Sequence, residues 1–225
     1  MDPFRALSTV ASTGAPTRFV LVRHGATEHT AAGRYSGRGE VALSAAGAVQ
    51  AAAVAARIAT EFGPVAAVAT SPLRRCRDTA EPIVAACGGL AAAVEPALAE
   101  CDFGRWEGLT FAATASAWPA EHAAWLASTA VAPPGGESFD AVAARVGRFV
   151  ENARREHPGA NVVVVSHASP LKLVLRTALR AGVEALHRLV LDPGGLSIVE
   201  VWPDGGVAVP CVNDTCHVRE MRCGP

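Results

Sequence analysis

Residues 18–28 read Arg-Phe-Val-Leu-Val-Arg-His-Gly-Ala-Thr-Glu, and this stretch decides the fold. Phe19 to Val22 form an unbroken apolar run of strand length that stops at Arg23-His24-Gly25. An unbroken run, as opposed to an alternating one, is what a strand needs when both faces of its sheet are covered, the situation of parallel strands in an α/β protein. A second such run, Val162 to Val165, stops at Ser166-His167. Working outward, Ser44 caps an Ala-rich helix that Gly63-Pro64 ends near Phe62, Val65 to Ala69 make a short strand, and Pro72 marks the first turn of a helix fading near Gly88-Gly89. Further helices are expected over 118–129, over 138–157 with Ser138 at the cap, and over about 170–180. Leu196 to Trp202 and Val207 to Val212, joined by Pro203-Asp204-Gly205-Gly206, predict a terminal hairpin.

Strands alternating with helices predict a three-layer α/β/α sandwich around a mostly parallel sheet, with the ligand crevice beyond the carboxyl ends of the strands. Arg23-His24, Ser71 and His167 each follow a predicted strand, so residues far apart in sequence converge on one edge. At 225 residues, half of them hydrophobic, the chain can bury a single large core. Residues 18–218 are expected to form that domain. Residues 1–17, mixed in Ser, Thr, Pro and Gly, read as a flexible leader or linker, and 219–225 as a flexible tail. A formal charge of −1 gives no global field for nucleic acid or an anionic membrane, and no stretch has the length or apolarity of a membrane span or a signal peptide. A cytoplasmic monomer or homodimer is expected. The six cysteines are scattered, so reduced thiols are expected over a disulfide framework, and Cys211, Cys216, His217 and Cys223 lack the paired spacing of a structural zinc site.

The chemistry open to such an edge follows from its residue types. A neutral imidazole is a good nucleophile toward phosphorus near neutral pH, which makes His24 the candidate nucleophile. Phosphoryl transfer then needs fixed positive donors for the equatorial oxygens, and one carboxyl group that protonates the leaving oxygen and later activates water.

Four segments carry a resemblance to the histidine phosphatase superfamily along nearly the whole chain. Arg23-His24-Gly25-Ala26-Thr27 resembles its signature, and Ser71-Pro72-Leu73-Arg74-Arg75-Cys76-Arg77-Asp78-Thr79-Ala80 resembles its Ser-Pro-Leu-x-Arg-Ala-x-x-Thr-Ala, which implies a phosphate-binding role for Arg75. Leu98 to Gly108 resembles Leu-x-Glu-x-x-x-Gly-x-Trp-Glu-Gly, which implies that Glu100 is the general acid and base, with Asp102 its local competitor and Glu107 a brace for the loop. Val165-Ser166-His167-Ala168-Ser169-Pro170 implies that His167 binds the phosphoryl group. The resemblance makes His24, Glu100, His167, Arg23 and Arg75 the catalytic set. It puts Arg23, Thr30, Ser36, Gly37, Arg75 and Ala168 at the substrate, and it implies neither cofactor nor metal. Pro134-Gly135-Gly136-Glu137-Ser138 also resembles a family segment, with Glu137 facing the pocket. Thr30 stands where the family commonly has Asn, replacing an amide at the phosphate with a hydroxyl that can donate one hydrogen bond. The remaining histidines match no catalytic segment and read as surface or core residues.

The resemblance is strongest to α-ribazole phosphatase relatives and to the acid phosphatase half of actinobacterial proteins that fuse it to ribonuclease H. It implies a metal-independent phosphomonoesterase acting on a small phosphorylated metabolite. A phosphoglycerate-type mutase is the alternative within the family, disfavoured because only residues 109–136 separate Gly108 from Glu137, without room for the longer capping insertion. A non-catalytic phosphate-binding module is the alternative from another class, disfavoured because His24 and Glu100 are both present.

Overall fold

The computed structural model describes residues 13–219. In chain order the elements are β1 (Thr17–Arg23), α1 (Glu28–Ala31), α2 (Ala45–Glu61), β2 (Val65–Thr70), α3 (Arg74–Ala86), β3 (Ala92–Val94), α4 (Phe111–Ala117), α5 (Pro119–Ala127), α6 (Phe139–Glu156), β4 (Asn161–Ser166), α7 (Ala168–Ala178), α8 (Ala185–Arg188), β5 (Leu196–Val201), β6 (Val207–Asp214) and α9 (Cys216–Arg219). Short 3₁₀ turns occupy Pro96–Leu98 and Gly104–Trp106. The six strands form one sheet in the order β3-β2-β4-β1-β5-β6. The first four run parallel, while β5 is antiparallel to β1 and β6 to β5, so the sheet is mostly parallel with a hairpin at one edge.

The unbroken apolar runs are explained by the two layers that cover them. In β1, Val20 and Val22 pack with Val54 and Ile58 of α2 and with Cys76, Ala80 and Ile83 of α3. Phe19 and Leu21 point to the opposite face and pack with Leu171 and Leu175 of α7 and Ala153 of α6. β4 repeats the division, Val163 and Val165 to the first face and Val162 and Val164 to the second. Each such side chain taken out of water contributes about 1.5–3 kcal/mol. A third cluster, formed by Tyr35, Phe103, Trp106, Trp125, Phe139 and neighbours, lies over one end of the sheet.

Ser44 and Ser138 cap α2 and α6 as expected, their hydroxyls accepting from Gly47 N and Ala141 N. Several boundaries differ from the sequence reading. Thr17, assigned to the leader, opens β1 and is buried, whereas residues 1–12 and the tail from 220 onward, including Cys223, lie outside the described residues. The helix expected over 118–129 is α5, shortened to Pro119–Ala127: Pro119 starts it, and Trp118 before it is forced out of helical geometry at φ −133°, ψ 60°, which separates α5 from α4. α3 begins at Arg74, not Pro72, and α7 begins at Ala168, with Pro170 in the first turn where no backbone N–H is needed. β3 and the short helices α1, α4, α8 and α9 were not foreseen. Among the described residues Cys76, Cys87, Cys101, Cys211 and Cys216 are free thiols, and His217 is engaged by Gly194 O and Arg57. No described helix is long and apolar enough to cross a membrane.

Candidate active site

Strand register delivers the two histidines together. Arg23 is paired with Ser166 and Thr70 with Val165, so His24, Ser71 and His167 are each the first residue past an aligned strand end. His24 N donates to Ser166 O at 3.0 Å, and the two imidazoles meet edge to face with centroids 5.1 Å apart. Gly25 is required here, because a Cβ at that position would overlap the Gly47 carbonyl oxygen in the first turn of α2.

The protonation pattern follows from the partners. His24 Nδ1 lies 2.7 Å from Gly25 O, which can only accept, so Nδ1 carries the hydrogen and Nε2 keeps its lone pair. Burial, and after it the charges of Arg23 and Arg75, hold the His24 pKa well below the ordinary histidine value. His167 is fully buried. Its Nδ1 accepts from Arg75 Nε at 3.2 Å, so its Nε2 donates to Ser71 Oγ at 2.7 Å. Its pKa is likewise pushed well down, by burial first and then by Arg75. Cys76 Sγ sits 3.3 Å from that Nε2, and burial raises its thiol pKa far enough to keep it protonated.

Arg75 is fully buried beside His167. Its guanidinium donates to Gly39 O at 2.9 Å, Ser36 O at 3.1 Å and Gly37 O at 2.8 Å. The 36–39 loop is in turn gripped by Glu107, which accepts from Gly37 N and Arg38 N at 3.0 and 2.8 Å. A Cβ at Gly37 would collide with that carboxylate. Glu107, expected to brace its own loop, instead braces this one.

A cavity of about 560 Å³ opens at this edge of the sheet, lined by Arg23, His24, Thr30, Ser36, Glu100 and Ala168 among the expected residues. Arg75, His167 and Gly37 are not on its wall: they pack behind His24 and in the loop that holds Arg75. Arg23 Nη1 donates to Leu191 O, while its Nε is buried without a partner among the described residues. Glu100 is buried, accepting from Cys101 N at 2.7 Å and Ser169 N at 3.4 Å. Asp102 is turned away and accepts from Gly104 N at 2.8 Å.

Two expectations change. Glu137 does not face the pocket; it pairs with Arg145 at 2.9 and 3.0 Å and with Arg38 at 3.3 Å. Thr30 lines the cavity, but its hydroxyl donates to Thr27 O at 2.8 Å inside a capping box, so that hydrogen is committed to the helix start.

The sequence reading missed much of the cavity wall. Ser169 and Lys172 line it from α7, and His29, His122 and His187, read as surface or core, line it from three other segments. Helical spacing from Ala168 points to Lys172, and from Lys172 back to Ser169; nothing local points to the histidines. Tyr35 donates to or accepts from His122 Nε2 at 2.9 Å, and burial pushes its hydroxyl pKa up to about 12. Among the described residues no group of three or more His, Cys, Asp or Glu is arranged to hold a metal ion.

An α/β/α sandwich with paired strand-end histidines and a buried arginine beside them defines a class, and the comparisons agree with it. Residues 19–215 match the profile of the histidine phosphatase superfamily (branch 1), and the chain belongs to that family. It is 45% identical over 227 residues to "Bifunctional protein Rv2228c" of Mycobacterium tuberculosis, a match covering 96% of this chain but 61% of that protein's length. It is 38% identical over 160 residues to "Metal-independent phosphoserine phosphatase" of Arabidopsis thaliana, covering 70% of this chain and 67% of that one. The solved α-ribazole phosphatase of Shigella flexneri superimposes with a TM-score of 0.76 at 26% identity, covering 88% of this chain and 96% of that one. The family and the phosphatases among these relatives support phosphatase activity.

Proposed function

We propose that this chain is a metal-independent phosphomonoester hydrolase that works through a phosphohistidine at His24. The observation that carries the reading is the state of that imidazole: buried, uncharged, fixed by Gly25 O, with the Nε2 lone pair free at a cavity whose wall also holds the Glu100 carboxyl. In the first step His24 Nε2 attacks phosphorus, the ester P–O bond breaks, and Glu100 gives its proton to the leaving oxygen. In the second, the Glu100 carboxylate takes a proton from water, the oxygen attacks phosphorus, and the P–N bond breaks to release phosphate and neutral His24.

Arg23, on the cavity wall, supplies positive charge to the phosphoryl oxygens. Arg75 supplies more from behind His24 by exchanging a loop carbonyl for a phosphoryl oxygen, and His167, uncharged, contributes its Nε2–H by giving up Ser71 Oγ. Thr30 is not part of that set. The leaving group meets a wall in which Tyr35, Phe103, Phe111, Trp125 and Phe139 adjoin Lys172, suiting a small phosphorylated metabolite with an apolar portion. Hydrolysis is favoured over mutase chemistry by the short 109–136 segment.

The test is to quench the enzyme during turnover of a ³²P-labelled substrate. Acid-labile, base-stable label on His24, absent along with turnover in His24→Ala, is the expected result. Label on a serine or cysteine would overturn the mechanism.

A further inference from the structure

The loop that carries Glu100 is not part of the sheet. Between Pro96 and Glu100 its backbone forms a single 3₁₀ turn, and from the rest of the molecule that backbone is held at three carbonyls, while the Glu100 carboxyl itself takes from there only the longer Ser169 N contact at 3.4 Å. Leu98 O accepts from Ser166 Oγ at 2.7 Å, and Ala97 O and Glu100 O accept from the two terminal nitrogens of Arg145 at 2.5 and 3.0 Å. Arg145 therefore grips the backbone carbonyl of the residue to which the proton transfers are assigned, without itself reaching the cavity.

Its guanidinium is aimed by one carboxylate. Glu137 takes Arg145 Nε and Nη2 on its two oxygens in a fork, with the side chains only 13% and 18% exposed. Such paired, partly buried contacts fix direction as well as distance. Glu137 is anchored through its backbone to the same loop: its N donates to Asp102 O at 2.8 Å, and Cys101 Sγ donates to its O at 3.2 Å. On its outer side the Glu137 carboxylate also takes Arg38, in the loop whose carbonyls hold Arg75.

We propose that Arg145, locked by Glu137, is a positioning residue for the Glu100 carboxyl, and that Glu137 links the Glu100 loop to the loop that seats Arg75. This rests on the proposed role of Glu100. Proton transfer to a leaving oxygen demands near-hydrogen-bond geometry, and a displacement of about 1 Å can cost on the order of a hundredfold. Loss of the latch should thus act on the step that needs Glu100 and spare what does not. An alkoxide needs the proton, whereas p-nitrophenolate leaves with little help.

The experiment compares kcat/KM for an alkyl phosphate such as glycerol 3-phosphate with that for p-nitrophenyl phosphate, in wild type, Arg145→Met, Arg145→Lys, Glu137→Gln and Glu100→Gln. Arg145→Met should lower the alkyl-to-nitrophenyl ratio by roughly tenfold or more, mainly in kcat, with partial rescue in Arg145→Lys. Glu137→Gln keeps the shape of the pair and loses its charge, so it should move the ratio the same way by less, and it carries the test if Arg145→Met does not fold. Equal losses on both substrates in the folded variants, with the ratio unchanged while Glu100→Gln still shifts it, would overturn the latch alone. A Glu100→Gln enzyme with an unchanged ratio would overturn the role of Glu100 and the latch together.

Discussion

Lowering the pH from 7.5 to 5.5 should cost this protein up to about 3 kcal/mol of stability through two side chains, His24 and His167. Both are buried, both are held neutral with pKa values well below the ordinary 6.5, and burial is the leading cause for each. In the unfolded chain each regains a pKa of about 6.5. The sign follows: the unfolded state binds protons that the native state refuses, so stability is full above about pH 6.5 and falls as the pH drops below it. At pH 5.5 an unfolded histidine gains between about 1 and 2 kcal/mol from proton binding, and at pH 7.5 almost nothing, so two histidines that stay neutral in the native state account for up to about 3. His122 and His217 are lowered as well and act in the same direction, whereas the lowered carboxylates Glu137 and Asp214 matter only at more acid pH. Urea unfolding followed by tryptophan fluorescence at pH 7.5, 6.5 and 5.5 measures the effect. His24→Asn, which keeps a polar side chain but cannot titrate, should reduce the pH-dependent loss by up to about half. Equal stabilities at pH 7.5 and 5.5, or an undiminished loss in His24→Asn, would refute the argument that the nucleophile is stored neutral. In the proposed mechanism the same neutrality lets His24 attack phosphorus on the acidic side of pH 7, where turnover should be best.

Two further outcomes are expected. Glu100→Gln should accumulate phosphoenzyme from p-nitrophenyl phosphate, seen as a burst followed by a slow steady state, while Asp102→Asn, whose side chain faces Gly104 N and not the cavity, should turn over nearly normally; the reverse pattern would move the proton carrier to Asp102. Activity should survive dialysis against a chelator, and loss with recovery on adding magnesium or zinc would reject the metal-independent mechanism.

What could be read from the sequence was whatever a short window determines. The runs at Phe19–Val22 and Val162–Val165 specify buried strands because each residue meets a covering layer whichever face it takes, and Ser44 and Ser138 specify helix starts because the capped N–H lies three residues away. The convergence of His24, Ser71 and His167 followed from the strand ends alone. β3 escaped notice because Ala92, Ala93 and Val94 have neither the length nor the alternation of a strand signal; they pair only because β2 presents an edge.

The site was half legible for a related reason. Residue types on the Arg-His-Gly and Ser-His segments announce the chemistry, but where a loop side chain points depends on partners that no local window contains. Glu137 was expected in the pocket and turns instead to Arg145, eight residues on, and to Arg38, ninety-nine residues back. Glu107 reaches Gly37 across seventy residues. Arg75 spends its donors on three carbonyls and a histidine, so it sits behind His24 instead of on the cavity wall. Thr30 shows the same competition on the smallest scale. A hydroxyl one turn into a helix can answer a ligand or its own backbone, and here Thr27 is near enough that the backbone wins. An asparagine at position 30 has a second donor to offer once the cap is satisfied, so under the proposed mechanism the hydroxyl trades a phosphate contact for a self-contained helix start and leaves more of the phosphoryl charge to Arg23 and Arg75.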